Sequence, residues 1–119
     1  MYYVQKTMEI AGCHRLNLSY PSKCSSLHGH NWIITVYCKA PTLNADGMVF
    51  DFTRAKEKIH GYLDHGNLNE LLPFNPTAEN IAKWIVAQLP ECYKAKVQES
   101  EGNIAVYCDD DKIDGKEAL

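Results

Sequence analysis

Residues 28–39, HGHNWIITVYCK, are the stretch that most narrows the choice of fold. β-Branched and aromatic residues dominate this stretch, which is typical of a β-strand. Side chains alternate between the two faces of a strand, so the even-numbered residues share one face. These are His28, His30, Trp32, Ile34, Val36 and Cys38. The sequence therefore predicts a strand that places two imidazoles side by side next to an apolar surface.

Three further stretches also have strand patterns. Residues 3–13 alternate loosely between apolar and polar side chains, which predicts a first strand that ends at His14. The runs KAKVQE and NIAVYC flank the turn-like SEGN. This arrangement predicts a hairpin near the end of the chain.

The spacing of apolar residues predicts two helices between these strand pairs. Asp51 is the expected N-cap of the first helix; Thr77 opens the second, and Pro90 ends it. The expected apolar faces are Phe52, Ala55, Ile59 and Tyr62 in the first helix, and Ala78, Ile81, Ala82, Ile85 and Leu89 in the second. The order ββααββ predicts an α+β fold, with two helices covering one face of a four-stranded antiparallel sheet. Such a sheet has exposed edges that another subunit can pair with.

Length and composition indicate a single globular domain. The protein has 119 residues, of which 45% are hydrophobic and 23% are charged. We assign residues 1–108 to this domain and residues 109–119, DDDKIDGKEAL, to a solvated acidic tail. A net charge of -3 with scattered lysines and arginines argues against nucleic-acid and anionic-membrane partners. No segment approaches the roughly 20 apolar residues of a membrane span, so we expect a cytoplasmic protein.

The cysteines are odd in number and form no C-x-x-C pair, which predicts reduced thiols. They are Cys13, Cys24, Cys38, Cys92 and Cys108. Cys38 and Cys108 lie in apolar strand patterns and are expected to be small buried hydrophobes. Cys24 lies in a polar loop, where other roles are open to it.

His28 and His30 are candidate metal ligands, because imidazoles two residues apart on a strand project the same way at roughly 6.5 to 7 Å spacing. His14, at the end of the preceding strand, is the third candidate. Three neutral nitrogens suit Zn²⁺ and leave the fourth position open, as in catalytic sites. The alternative is that each histidine is an ordinary hydrogen-bonded strand residue. Cys24 could complete a closed structural zinc site, or it could lie beside the metal as a thiolate base.

Asp64, His65 and Glu99 are the other candidate functional residues. Asp64 and His65 are adjacent in a loop, where a carboxylate can orient an imidazole for proton transfer; a helix cap or solvated turn is the alternative. Glu99 follows Ala95 and Val97 on a core-facing strand side, so its carboxylate needs a donor. A carboxylate can accept the paired N–H groups of a pterin or guanine.

Five motifs resemble those of the 6-pyruvoyl-tetrahydropterin synthase / 6-carboxy-tetrahydropterin synthase family. They are CHRL, CSSLHGHNW, LDHGNLN, PTAEN and VQESEGNIAVY, in the family's order. The resemblance extends from about Tyr3 to Tyr107, nearly the whole chain. It implies the tunnelling fold, in which ββααββ subunits form trimers that stack as a homohexamer with active sites between subunits.

The resemblance also implies a role for each candidate residue. His14, His28 and His30 would bind zinc, and Cys24 would be the proton-abstracting base. Asp64 and His65 would relay a second proton. Glu99 would anchor the pterin ring of 7,8-dihydroneopterin triphosphate, and Thr77 would add a contact. Arg15 and Lys23 are candidates for binding the triphosphate.

The spacing between Cys24 and His28 bears on the reaction. Three residues separate them, which is similar to the carboxy branch, whose enzymes release triphosphate and acetaldehyde on the route to queuosine and related deazapurines. The pyruvoyl branch, which only eliminates triphosphate, is the alternative. A third branch has glutamate in place of the thiol, and Cys24 argues against it. A non-catalytic module with a closed zinc site and a three-histidine zinc hydrolase are the competing functions.

Overall fold

The computed structural model describes residues 1–117 and contains one mixed sheet in that range. Its five strands are β1 (Tyr2–His14), β2 (His28–Ala40), β3 (Gly66–Asn67), β4 (Cys92–Ser100) and β5 (Asn103–Cys108). The order across the sheet is β3-β1-β2-β4-β5, with β3 parallel to β1 and every other pair antiparallel. The predicted α+β class is confirmed.

The two-residue strand β3 is the main departure from the predicted sheet. Gly66 and Asn67, which directly follow the predicted Asp64–His65 loop, pair with Gly12 and Cys13 of β1. The sheet is therefore five-stranded and mixed, so a four-stranded antiparallel sheet in ββααββ order does not describe it fully. A strand this short leaves no periodic pattern in the sequence. A Cβ at Gly66 would lie 2.9 Å from the backbone oxygen of Leu63, so this close approach requires glycine.

Strands β1 and β2 form a long hairpin, with Tyr2 and Ala40 at one end and His14 and His28 at the other. Its register is continuous from Tyr2 opposite Ala40 to His14 opposite His28. Trp32 packs in the core beneath the histidine end, and its indole N–H donates to the Gly12 oxygen at 3.1 Å.

Helices cover one face of the sheet in the described part of the chain. They are α1 (Phe52–Ala55), α2 (Gly61–Leu63), α3 (Leu68–Leu71) and α4 (Ala78–Val86). α4 packs on β4 and β5. Asp51 and Thr77 are N-caps as predicted, since their side chains accept from the backbone N–H groups of Thr53 and Asn80.

A π-helical turn, Lys56–His60, joins α1 to α2 and changes the predicted apolar face. Ala55 and Ile59 are buried as expected, but Phe52 and Tyr62 are 41% and 47% exposed. A π turn inserts one extra residue, which rotates everything after it. Leu63 therefore lies in the core where Tyr62 was expected.

The C-terminal segment contacts the sheet through Glu117. Glu117 is 8% exposed at its side chain and pairs with Lys39. Its carboxylate also accepts the backbone N–H groups of Asp114 and Gly115 at 2.9 and 3.1 Å. The pairing with Lys39 lowers the pKa of Glu117 to about 2. The boundary after residue 108 stays a prediction.

Two of the cysteines pair across the sheet. Cys38 and Cys92 are buried partners in β2 and β4, and their hydrogen bond together with burial raises the pKa of Cys38. All five cysteines are free thiols. Cys38 is buried as predicted, whereas Cys108 is only half-buried. No helix in residues 1–117 is long and apolar enough to span a bilayer.

Candidate active site

Three histidines meet at one end of the β1–β2 hairpin. His14 ends β1 directly opposite His28, which begins β2, and His30 lies two residues further on the same face. The Nε2 atoms of His14 and His28 are 3.1 Å apart. The ring of His30 lies 5.2 Å from that of His14 and 4.8 Å from that of His28, between centroids. The strand alternation predicted from the sequence thus gathers all three imidazoles.

Backbone carbonyls fix the tautomers of His14 and His28. The Nδ1 of His14 lies 2.8 Å from the Pro76 oxygen, and the Nδ1 of His28 lies 2.7 Å from the Ser26 oxygen. A carbonyl only accepts, so each Nδ1 carries the hydrogen and each neutral ring has its lone pair on Nε2. Two lone pairs therefore face each other at 3.1 Å. Burial, the largest cause, lowers the pKa of His14 and favours its neutral form.

A β-bulge brings Glu99 to the same place. Gln98 pairs with Ile104 and Ser100 pairs with Asn103, so Glu99 is the extra residue of β4. Its Oε1 lies 3.1 Å from the Nε2 of His30. Their alignment does not make a hydrogen bond, and this buried Nε2 has no hydrogen-bond partner among residues 1–117. Ala95 and Val97 precede Glu99 on the core face, as predicted.

These four residues form a donor set that fits a zinc ion. One ligand atom from each of His14, His28, His30 and Glu99 lies within 4.8 Å of the other three. Neutral imidazole nitrogens and a carboxylate oxygen are common zinc ligands. A cation here would satisfy the facing lone pairs and the unpartnered Nε2 of His30 together. The chemistry of the residues therefore fits the metal that the sequence predicts.

Cys24 lies outside this ligand cluster, on a 3-10 turn formed by Lys23–Ser25. Its backbone N–H donates to the Ser22 hydroxyl at 3.1 Å, and its carbonyl accepts from Leu16 at 2.8 Å. The thiol is half-buried. Cys24 is therefore separate from the four grouped ligand atoms, contrary to a closed site with sulfur as a ligand.

Two asparagines, Asn69 and Asn75, hold the segment that follows β1. Asn69 exchanges two hydrogen bonds with the backbone of Arg15, at 2.8 and 2.9 Å. Asn75 does the same with Asn17, at 2.9 and 3.1 Å. Each side-chain amide thus imitates a neighbouring strand and extends the pairing of β1. Leu16 lies between these contacts and bonds to Cys24, so the asparagines fix where the thiol lies relative to His14.

Asp64 is anchored on β1 and flanked by two imidazoles. Its Oδ1 accepts the Ala11 backbone N–H at 2.9 Å, and this bond is the largest cause that lowers the pKa of Asp64. Its Oδ2 lies 3.6 Å from the Nε2 of His65 and 3.6 Å from the Nε2 of His60. The sequence predicted the first contact; the spacing of four residues on a helix is the signal for the second.

His65 has a constrained backbone and an open side chain. Its φ of 57° is left-handed, and its N–H donates to the Ala11 oxygen at 2.7 Å. The imidazole is 84% exposed. It lines an open cleft of about 400 Å³ together with His30, Cys13 and Asn31. Of the four residues in the metal cluster, only His30 borders this cleft.

Comparison with known proteins assigns this arrangement to a family. A family model described as 6-pyruvoyl tetrahydropterin synthase matches residues 3–110. The chain belongs to this family. The 6-carboxy-5,6,7,8-tetrahydropterin synthase of Synechocystis sp. is 35% identical over 100 residues, covering 76% of this chain and 77% of that protein. The 6-pyruvoyl tetrahydrobiopterin synthase of Homo sapiens is 32% identical over 129 residues, covering 87% and 89%.

A solved structure supports the same fold. The 6-pyruvoyl tetrahydropterin synthase of Caenorhabditis elegans superposes with a TM-score of 0.73 at 24% identity, covering 91% of this chain and 95% of that one. The family model over residues 3–110 confirms the resemblance seen in the sequence motifs, and the protein is a member of an enzyme family of pterin synthases.

The predicted substrate contacts Thr77, Arg15 and Lys23 differ in their surroundings. The Thr77 hydroxyl is occupied as the cap of α4, while the preceding Pro76 carbonyl holds His14. Arg15 and Lys23 are exposed. Sequence reasoning missed His60 and Asn69, which contact the predicted residues Asp64 and Arg15. It also missed Asn75, which holds the backbone of Asn17.

Proposed function

We propose that the protein is a zinc-dependent 6-carboxy-5,6,7,8-tetrahydropterin synthase. Its substrate is 7,8-dihydroneopterin triphosphate, and its products are 6-carboxytetrahydropterin, triphosphate and acetaldehyde. The single observation that carries the proposal is the convergence of three imidazole nitrogens in a ligand cluster that does not include the Cys24 thiol. A closed zinc site would need that thiol as a ligand, and a zinc hydrolase would have no use for it.

In this proposal His14, His28 and His30 would hold the metal through Nε2. Zn²⁺ bound there would supply Lewis-acid stabilisation of negative charge on the side-chain oxygens of the substrate. The carbonyls of Pro76 and Ser26 keep two of the rings oriented, which raises ligand basicity as well as fixing geometry.

Cys24 performs the first proton transfer, and the Asp64–His65 pair performs the second. The Cys24 thiolate removes a proton from a side-chain carbon of the substrate and becomes a thiol. His65, oriented by the Asp64 carboxylate, carries the second proton. Triphosphate leaves with its bonding electron pair. The side chain is oxidised as the ring is reduced from dihydro to tetrahydro, so no external redox partner is needed; one water is consumed when acetaldehyde is released.

Glu99 anchors the pterin ring. Its carboxylate is 25% exposed and borders a cavity of about 330 Å³ lined by Ala78, Asn103 and Ala105. An ionised carboxylate can accept the 2-amino and ring N–H groups in two parallel hydrogen bonds. The carboxylate lies close enough to the imidazoles to compete as a metal ligand, and the Glu99 variant described below separates these two roles.

The carboxy reaction is favoured over the pyruvoyl reaction by the three-residue spacing between Cys24 and His28. Relatives bearing both names match the chain at similar identity. The pyruvoyl reaction therefore stands as the second candidate, supported by the SEGNIAVY segment after Glu99. The two differ in whether acetaldehyde forms, and we assign the carboxy product to queuosine or deazapurine biosynthesis in the cytoplasm.

The active form is a homohexamer with sites between subunits. Ile104 and Val106 on the edge strand β5 are 51% and 53% exposed, which suits burial against another subunit. The open His65 side chain suits a site completed by a neighbouring chain. Thr77, Arg15 and Lys23 remain candidate substrate contacts.

The test is turnover of 7,8-dihydroneopterin triphosphate by the zinc-loaded protein, with triphosphate, acetaldehyde and the pterin product quantified by mass spectrometry. We expect all three products at equal amounts. Cys24→Ala should abolish turnover, while the matched thiol variant Cys108→Ala, on β5, should retain it. Untouched substrate, or full activity of Cys24→Ala, would overturn the lyase; triphosphate without acetaldehyde would select the pyruvoyl reaction.

A further inference from the structure

Backbone carbonyls hold the rings of two predicted zinc ligands but not the ring of the third. Nδ1 of His14 lies 2.8 Å from the Pro76 oxygen, and Nδ1 of His28 lies 2.7 Å from the Ser26 oxygen. His30 has no such contact in the part of the chain that the structure describes. Metal-ligating histidines almost always have a hydrogen-bond partner on the second ring nitrogen. A different kind of contact therefore has to orient the ring of His30.

The indole of Trp32 packs against the ring of His30 and against that of His14. Its ring centroid lies 5.4 Å from that of His30 at an interplanar angle of 88°, and 4.9 Å from that of His14 at 84°. Aromatic rings prefer such edge-to-face arrangements at separations of about 4.5–7 Å. Trp32 follows His30 by two residues on β2, so both side chains project from the same face of the strand. One indole thus contacts two of the three predicted ligands.

Trp32 is itself fixed in place. Its side chain lies in the core, and the residue is 1% exposed. Its indole N–H donates to the Gly12 oxygen at 3.1 Å, and Gly12 is the residue of β1 that pairs with His30. Rotation of the indole would break this bond and would displace close-packed neighbours. The imidazoles therefore pack against a ring that has a single orientation.

We infer that Trp32 is a positioning residue of the metal site: its indole replaces the missing carbonyl contact and holds the ring of His30 with Nε2 turned toward those of His14 and His28. The inference rests on the proposed role of these histidines as zinc ligands. Trp32 contributes no ligand atom to the cluster, so it acts only through the imidazoles. A ligand that is already oriented loses less freedom when the metal binds, and the indole thereby raises zinc affinity.

The test compares zinc affinity among variants by competition with a chromophoric chelator. Trp32→Leu and Trp32→Phe both lose the indole N–H, but only Trp32→Phe keeps an aromatic ring beside the imidazoles. We expect Trp32→Leu to lower zinc affinity about tenfold, the lower end of the cost of losing a group behind a metal ligand. Trp32→Phe should recover most of this loss, and Trp32→Met, a second variant without a ring, should resemble Trp32→Leu.

Val36→Ala is the matched control for a general loss of core packing. Val36 is a buried residue on the same face of β2 and belongs to the same core. Its truncation should lower the free energy of unfolding and leave zinc affinity unchanged. Circular dichroism establishes that each variant is folded at the temperature of the binding measurement.

The visible d–d bands of bound cobalt(II) give a second readout, because they depend on the geometry of the ligands. Their intensity should change in Trp32→Leu and Trp32→Met, return toward the wild-type value in Trp32→Phe, and stay at that value in Val36→Ala. A role of Trp32 in core stability alone would not produce this pattern in folded protein.

Wild-type affinity and spectrum in folded Trp32→Leu and Trp32→Met would overturn the proposal. An equal loss of affinity in Trp32→Phe or in Val36→Ala would also overturn it. Neither measurement contains substrate, so the failures are distinguishable. Absence of zinc binding in the wild type would overturn the metal site itself, and a failed turnover assay with zinc bound would overturn the proposed reaction. Normal zinc binding in the ringless variants would overturn only the role of Trp32.

Discussion

The two ends of the β1–β2 hairpin differ in how their buried polar groups are satisfied. At the end formed by Tyr3 and Lys39, the carboxylate of Glu117 is matched by an ammonium group and two backbone N–H groups. At the other end, the Nε2 atoms of His14 and His28 face each other, and that of His30 lacks a hydrogen-bond partner within residues 1–117.

The difference shows which end is built for a ligand. A buried polar group without a partner costs about 1–3 kcal/mol, so a fold retains a convergent set of them only where something else satisfies them. The far end has two such atoms, the Tyr93 hydroxyl and Oε2 of Glu91, and burial raises the pKa of Tyr93 to about 12. Glu91 pairs with Arg54 through its other oxygen at 3.1 Å, and neither of these two atoms belongs to a cluster of possible metal ligands. The histidine end, by contrast, has several possible metal-ligand atoms grouped in one place.

Removal of one imidazole should have the largest effect, because the histidine end then loses one of its metal ligands. His30→Ala should lower zinc affinity by at least about 100-fold, the upper end of what loss of even an outer hydrogen-bond partner costs. Zinc content after dialysis measures this, with circular dichroism to verify folding. Stoichiometric zinc in the folded variant would contradict the assignment of His30 as a ligand.

Glu99→Gln distinguishes metal binding from substrate binding at the histidine end. The substitution keeps one carbonyl oxygen but loses the charge and the paired acceptors. We expect KM for 7,8-dihydroneopterin triphosphate to rise about tenfold, since hydrogen bonds to charged groups contribute about 1.5–3 kcal/mol. Zinc content should stay at the wild-type level. A fall in zinc content would make Glu99 a metal ligand instead of the ring anchor.

Asn75→Ala tests whether the segment beyond β1 positions the thiol. The variant loses both bonds to the Asn17 backbone. At about 1 kcal/mol for a typical hydrogen bond, turnover should fall roughly fivefold while zinc remains bound. Asn75→Asp keeps the acceptor and should recover part of the rate. Wild-type turnover in Asn75→Ala would show that the asparagine contacts do not position Cys24.

Glu117→Gln should have the smallest effect, confined to the far end. Zinc content and turnover should match the wild type, with Tm a few degrees lower. Folding holds the pKa of Glu117 near 2, below its usual 4.5. The stabilisation is therefore complete above about pH 5 and is lost as pH falls toward 2. Thermal melts from pH 7 to 3 check this: the gap in Tm between wild type and variant should narrow with acid, and a constant gap would contradict it.

Local patterns were enough to predict the elements that carry the site. Strand alternation placed His28, His30 and Trp32 on one face, and capping rules identified Asp51 and Thr77. These features depend on neighbouring residues only, so a single sequence contains them. The roles of Cys24, Asp64, His65 and Glu99 came from the family motifs.

The features that escaped prediction depend on contacts between distant segments. Gly66 pairs with Gly12 across more than fifty residues, and Glu117 reaches Lys39 across 78. The bulge that turns Glu99 toward the imidazoles is set by the register of β4 against β5. The π turn likewise has no characteristic amino-acid pattern, and it changes which residue of the first predicted helix is buried. Pairwise register of this kind is not encoded in any one segment.

The absorption spectrum of the cobalt-substituted protein tests the central claim most directly. Cobalt(II) in the site of His14, His28 and His30 should give visible d–d bands without a thiolate-to-metal charge-transfer band, and Cys24→Ala should leave the spectrum unchanged. A charge-transfer band that disappears in Cys24→Ala would make sulfur a ligand, and the mechanism in which Cys24 is the base would be wrong.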